Sequence, residues 1–112
     1  MREYQLGEFE EIVLLTVAIL YEDAYGVSIK QEIETRLKRN VSVSALQTAL
    51  RRLEKKGYLK SSFGEATAIR GGKRKRFFKV TKSGKSALDY TKDIRVQLWS
   101  AIPNVTFEYA GV

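Results

Sequence analysis

Apolar residues recur at helical spacing through the first half of the chain, alternate in the strand manner between Tyr58 and Thr81, and return to helical spacing after Lys82. Residues 8–21 predict a first helix. Its second half, Ile12 to Leu20, is apolar on every side apart from Thr16, which predicts the buried centre of a small domain. A helix lying on a membrane would need a basic face that this one lacks. A second helix is predicted from Ala24-Tyr25-Gly26 to about Lys38, with Ile29, Ile33 and Leu37 inward and Lys30, Gln31, Glu34 and Lys38 outward.

The third helix is the most sharply divided. Ser42 is its predicted N-cap, and Gly57 sits where a glycine stops a helix. Val43, Leu46, Leu50 and Leu53 fall on one face. Ser44, Gln47, Thr48, Arg51 and Lys55 gather on the other within an arc of roughly 100°, bordered by Arg52 and Lys56. Two extended runs follow, Tyr58 to about Ala68 and Lys75 to about Thr81. Leu59 and Phe63 share one side of the first, Phe78 and Val80 one side of the second. Gly71-Gly72 lies between them, where paired glycines permit a sharp reversal, so the pattern predicts a β-hairpin with a charged tip.

A last helix is predicted from Lys82 to about Ala101, ending before Pro103. Its apolar residues, Leu88, Ile94, Leu98, Trp99 and Ile102 among them, cover about half of its circumference. That is wider than one small domain needs, and it predicts a seam with the same helix of a second subunit. The tail from Asn104 to Val112 has strand-like character.

The predicted fold class is mainly α with a small β-hairpin. The predicted organisation is a winged helix-turn-helix over 1–82, a dimerisation helix over 83–102 and a tail over 103–112. A length of 112 residues with 44% hydrophobic content suits one domain with a real core. With no cysteine and no histidine, thiolate chemistry, disulfides and imidazole ligands are excluded. No Asp/Glu cluster at ligand spacing replaces them, so neither an enzyme nor a cofactor is expected. No signal peptide and no apolar run of spanning length is present, which predicts a cytoplasmic protein without a membrane partner.

Charge identifies the partner more narrowly. Residues 41–85 hold 13 Lys/Arg against Glu54 and Glu65, a net of +11 in a chain whose total is +7. Arg70, Lys73, Arg74, Lys75 and Arg76 put five cations within seven residues at the hairpin tip, an arrangement that is costly without a polyanion. In a winged helix-turn-helix the second helix of the pair enters the major groove of duplex DNA, which is about 12 Å wide. Gln47 then suits adenine and Arg51 guanine, while Ser44 and Thr48 suit either a base or a phosphate. Arg52, Lys55 and Lys56 border the helix where phosphates would run. The alternative is a winged helix used as a protein-interaction module, its basic wing docking an acidic partner.

Several segments together resemble the PadR family of bacterial transcriptional regulators. They are Leu6-Gly7-Glu8-Phe9-Glu10, Ala24-Tyr25-Gly26, the run from Leu50 to Tyr58, and the run from Arg70 to Gly84. The resemblance covers residues 6–99 and points to the small subfamily with one C-terminal helix. It implies a homodimer that binds inverted-repeat operators and represses transcription, with the last helix as the dimerisation arm. It also implies a small aromatic effector near the dimer seam, for which Trp99 is the candidate stacking residue. Helix three departs from the family pattern, with Ser44 and Gln47 where Gly and Tyr are usual. Phe77-Phe78 likewise replaces the more usual tyrosines.

Overall fold

The computed structural model describes residues 5–64 and 74–108. The elements run α1 (Glu8–Leu20), a short 3-10 turn (Tyr21–Asp23), α2 (Gly26–Leu37), α3 (Val43–Lys55), β1 (Leu59–Phe63), β2 (Arg76–Val80), α4 (Lys82–Ala101) and a second 3-10 turn (Asn104–Phe107). This is a winged helix-turn-helix followed by one long helix.

Local chemistry sets the helix ends. The Gly7 N–H donates to the Glu10 carboxylate at 3.2 Å, the Tyr25 N–H to the Ser28 hydroxyl at 2.9 Å, and the Ala45 N–H to the Ser42 hydroxyl at 3.0 Å. Each satisfies a donor that a helix start leaves open. Helix α3 stops at Gly57, whose φ of 84° is the left-handed conformation that glycine adopts without cost. The Tyr58 N–H then reaches back to the Leu53 carbonyl at 2.9 Å and the Gly57 N–H to that of Glu54 at 3.0 Å, the paired bonds of a Schellman ending.

The hairpin is antiparallel, with Leu59 opposite Val80, Lys60 opposite Lys79 and Phe63 opposite Arg76. A short bridge from Tyr25 to Phe77, with Phe78 N–H donating to the Ala24 carbonyl at 2.9 Å, ties β2 to the start of α2. That bond is why α2 begins at Gly26 rather than at Ala24: the preceding residues are spent on the sheet.

The core lies where α1, α2, α3 and the hairpin meet. Val13, Leu14, Val17, Ile29, Ile33, Leu46, Leu50, Leu53, Leu59 and Phe78 are all buried there. Each such side chain contributes on the order of 1.5–3 kcal/mol by leaving water. The first two turns of α4 join this core through Gly84 and Ala87. A Cβ on Gly84 would stand 2.3 Å from the Tyr58 carbonyl oxygen, so the helix lies directly against the turn that ends α3. Every residue from Lys92 to Ala101 is exposed, and the molecule measures 62 Å along its longest axis.

Several expectations are corrected. Val43, the first residue of α3, is 60% exposed instead of anchoring the helix, whose buried residues are Leu46, Ala49, Leu50 and Leu53. Helix α1 is not covered all round: Leu15, in the groove beside α4, and Ile19 are 44% and 50% exposed. Leu37, placed inward on α2, is 47% exposed at the last residue of that helix. Phe63, on the Leu59 side of β1 as expected, is also exposed, with the Arg74 and Arg76 guanidinium groups over its ring. The described part of the tail is a 3-10 turn, not a strand, held by Thr106 N–H bonding to the Pro103 carbonyl at 3.0 Å.

Candidate nucleic-acid interface

The outward side of α3 carries Ser44, Gln47, Thr48, Arg51, Arg52 and Lys55, all exposed. Its buried side holds Leu46, Ala49, Leu50 and Leu53, so the helix cannot rotate without exposing them. The turn leading into it is pinned by Glu34. That carboxylate accepts from the Val41 N–H at 2.9 Å and from the Lys30 ammonium at 3.0 Å. The Val41 bond, then the Lys30 contact, hold the Glu34 carboxyl below its ordinary pKa.

The row divides along its length. Ser44, Thr48 and Arg52 line a groove of about 430 Å³ shared with Gly7, Phe9 and Glu10 at the start of α1. Gln47 and Arg51 line a smaller cavity of about 170 Å³ on the opposite flank, shared with Glu54, Arg76 and Phe78. Hydroxyls therefore lie toward α1, and the two groups best suited to paired hydrogen bonds lie toward the wing.

Among the described residues, Arg51 and Lys55 make no ion pair. Lys56, expected beside them near phosphates, is held elsewhere: its ammonium donates to Glu10 at 2.7 Å and to the Gln5 carbonyl at 2.8 Å. Arg52 stands 4.0 Å from the same carboxylate and stays largely exposed. In the wing, the Arg74 Nε–H donates to the Gly64 carbonyl at 3.0 Å, and the Lys75 ammonium lies 4.3 Å from the centre of the Tyr25 ring. Arg76 is bonded to Glu54 and to Ser61. Arg70 and Lys73 lie outside the described residues.

Two features had no signal in the sequence. Lys60 and Lys79 face each other across the hairpin, both exposed; like charges directly opposite are destabilising unless an anion intervenes. Arg39, in the turn between α2 and α3, sits 5.7 Å over the Phe9 ring at the edge of the Ser44 groove. Strand register would have revealed the lysine pair, but only once the hairpin pairing was known.

A third concavity, about 520 Å³, lies between α1 and α4 and is lined by Leu15, Leu88, Val96 and Trp99, with the Arg95–Glu11 ion pair beside them (2.9 Å). Trp99 is 68% exposed there. Ile94 and Leu98 are exposed further round α4, whereas Ile102 is partly covered. Among the described residues no group of side chains could hold a metal ion, and no helix is long and apolar enough to cross a membrane.

Residues 14–90 match the transcriptional regulator PadR-like family. An uncharacterized protein of Lysinibacillus sphaericus is 34% identical over 84 residues, which is 73% of this chain and 72% of that protein. The X-ray structure of a PadR-like transcription factor from Bacteroides fragilis superposes with a TM-score of 0.69 at 24% identity, covering 82% of this chain and 84% of that one; the likeness is one of fold. The crystal structure of a PadR family transcription regulator from Clostridium difficile is 26% identical with a TM-score of 0.56, covering 88% and 97% of the two chains. The match runs from the second half of α1 through α2, α3 and the hairpin into the first half of α4, so the chain belongs to the PadR-like family of DNA-binding transcriptional regulators.

Proposed function

We propose that this regulator is a cytoplasmic repressor that binds an inverted-repeat operator as a homodimer. Helix α3 reads the major groove through Gln47 and Arg51, while Ser44, Thr48, Arg52 and Lys55 engage the sugar-phosphate backbone. The wing, with Arg70, Lys73, Arg74 and Lys75, grips phosphates beside it. The observation that carries this reading is the row on α3: base-matching side chains that project from a helix locked by its buried face and that have no ionic partner within the described protein.

The exposed apolar surface of α1 and α4 supports the homodimer, since Leu15, Ile19, Leu98 and Trp99 lie in water on one molecule. Two such molecules about a two-fold axis would set their reading helices roughly 34–36 Å apart, one turn of DNA. The groove at Trp99 is the seat of a small aromatic effector that relieves repression. Trp99 is the one tryptophan of the chain, so its fluorescence reports on that groove.

Titration of duplex DNA at several salt concentrations tests the central claim. With about 6–10 phosphates neutralised per dimer, affinity falls by roughly 10³–10⁵ between 50 and 200 mM salt. A flat response would sink the mechanism, and retention of an acidic protein in place of duplex would favour the interaction-module reading.

A further inference from the structure

Glu54 is an anomaly. It is the one carboxylate among the described residues of a segment that carries 13 cations, and it stands on α3 one turn beyond Arg51. A negative charge there repels the phosphates that the rest of the segment attracts.

Its contacts explain its presence. Glu54 Oε1 accepts from Arg76 Nη2 at 2.8 Å, and Oε2 accepts from the Ser61 hydroxyl at 2.6 Å. The Ser61 oxygen in turn accepts from Arg76 Nε at 2.9 Å, closing a ring of three hydrogen bonds. The ring joins α3 to both strands of the hairpin. Two of its three members come from different strands, and the guanidinium also lies 5.6 Å from the centre of the Phe78 ring and 5.9 Å from that of Phe63. Arg76 opens β2, at the base of the wing tip. Gln47 and Arg51 line the cavity that the ring closes.

We propose that Glu54 and Arg76 are positioning residues: the ring they form with Ser61 fixes the wing relative to the reading helix, so that base contacts and wing contacts are made together. Arg76 then works inside the protein and not as a phosphate grip. This inference deepens the DNA-binding reading and rests on it.

Glu54→Gln separates the two roles by sign. It keeps the shape and removes the negative charge, so charge alone makes every duplex bind more tightly. Weakening of the ring, whose bond from Arg76 loses its carboxylate partner and keeps only a neutral amide acceptor, makes binding weaker, by up to roughly tenfold. The expected result is weaker binding. A double-mutant cycle with Arg74→Ala adds a readout that simple destabilisation does not move. In the wild type Arg74→Ala lowers the salt slope by about 1; in the Glu54→Gln background the decrease shrinks, because the wing no longer meets the backbone in register. The exchanged pair Glu54→Arg with Arg76→Glu recovers binding, and thermal unfolding without DNA shows that each variant is folded. Should Glu54→Gln fail to fold, Ser61→Ala and the exchanged pair decide. Binding at or above wild-type strength in Glu54→Gln, with Arg76→Ala lowering the slope by about 1, overturns this proposal alone. A wild type that retains no duplex overturns the DNA reading and this proposal with it.

Discussion

Helices α3 and α4 both turn a face outward that the described protein does not satisfy, and the two faces lack opposite things. The outer side of α3 is polar and cationic, with Arg51 and Lys55 unpaired among the described residues. The outer half of α4 leaves Val96, Leu98 and Trp99 in water among Lys92, Asp93, Arg95 and Gln97. The first face wants counter-charge, the second wants cover. A face of unpaired cations is cheap in water and becomes useful against a polyanion. Exposed apolar side chains gain from any surface of like character, and a second copy of the same face is the nearest.

The largest break in that contrast is expected from Leu98→Arg, which puts a charge into the proposed seam and leaves α3 untouched. Sedimentation should show one chain per particle, and binding to an inverted repeat should weaken on the order of 10²–10⁴-fold as the two reading helices lose their linkage. A wild type already at the mass of one chain would contradict the seam outright.

Neighbouring lysines sharpen the comparison within α3 and its ending. Lys56→Ala leaves Glu10, a nearly buried carboxylate, without its closest cation. It should lower stability by about 1–3 kcal/mol, read by denaturant titration, with the salt slope of DNA binding unchanged. Lys55→Ala should do the reverse, lowering the slope by about 1 and leaving stability within about 0.5 kcal/mol. Equal effects of the two would erase the distinction between tied and free cations.

Acid gives the smallest effect. The Val41 N–H and Lys30 favour the charged form of Glu34, so its folded pKa lies below the unfolded one. Its contribution is complete above the ordinary carboxylate value of about 4.3 and is lost as pH falls through the lower folded value. The difference in melting temperature between wild type and Glu34→Gln should be constant near neutrality and narrow below about pH 4. A gap that persists in acid would mean that the turn into α3 does not depend on that charge.

Period and punctuation made the element order readable in advance: Ser42 and Gly57 bound α3 as expected, and α4 occupies Lys82–Ala101. What escaped was set by distance along the chain. The bonds from Lys56 to Glu10 and from Arg76 to Glu54 span 46 and 22 residues, and no local pattern marks them. Val43, Leu15 and Ile19 escaped for a related reason. Periodicity gives the face a residue occupies, whereas burial depends on whether another element reaches that face. On α3 the outward row was readable because no neighbour had to be known; its division into a hydroxyl flank and a wing flank needed the positions of α1 and β2.

The root of α4 has a mechanical meaning. The Thr81 hydroxyl bonds the Gly57 carbonyl, and Gly84 lies against Tyr58 with no room for a methyl group. The start of α4 is therefore fixed against the end of α3. If two arms pair, their crossing angle gears directly into the phase of the two reading helices along DNA. One residue inserted midway along α4 would rotate the seam by about 100° while both halves kept their own packing. In such a dimer the helical count between Gly84 and Trp99 would act as a setting for operator spacing.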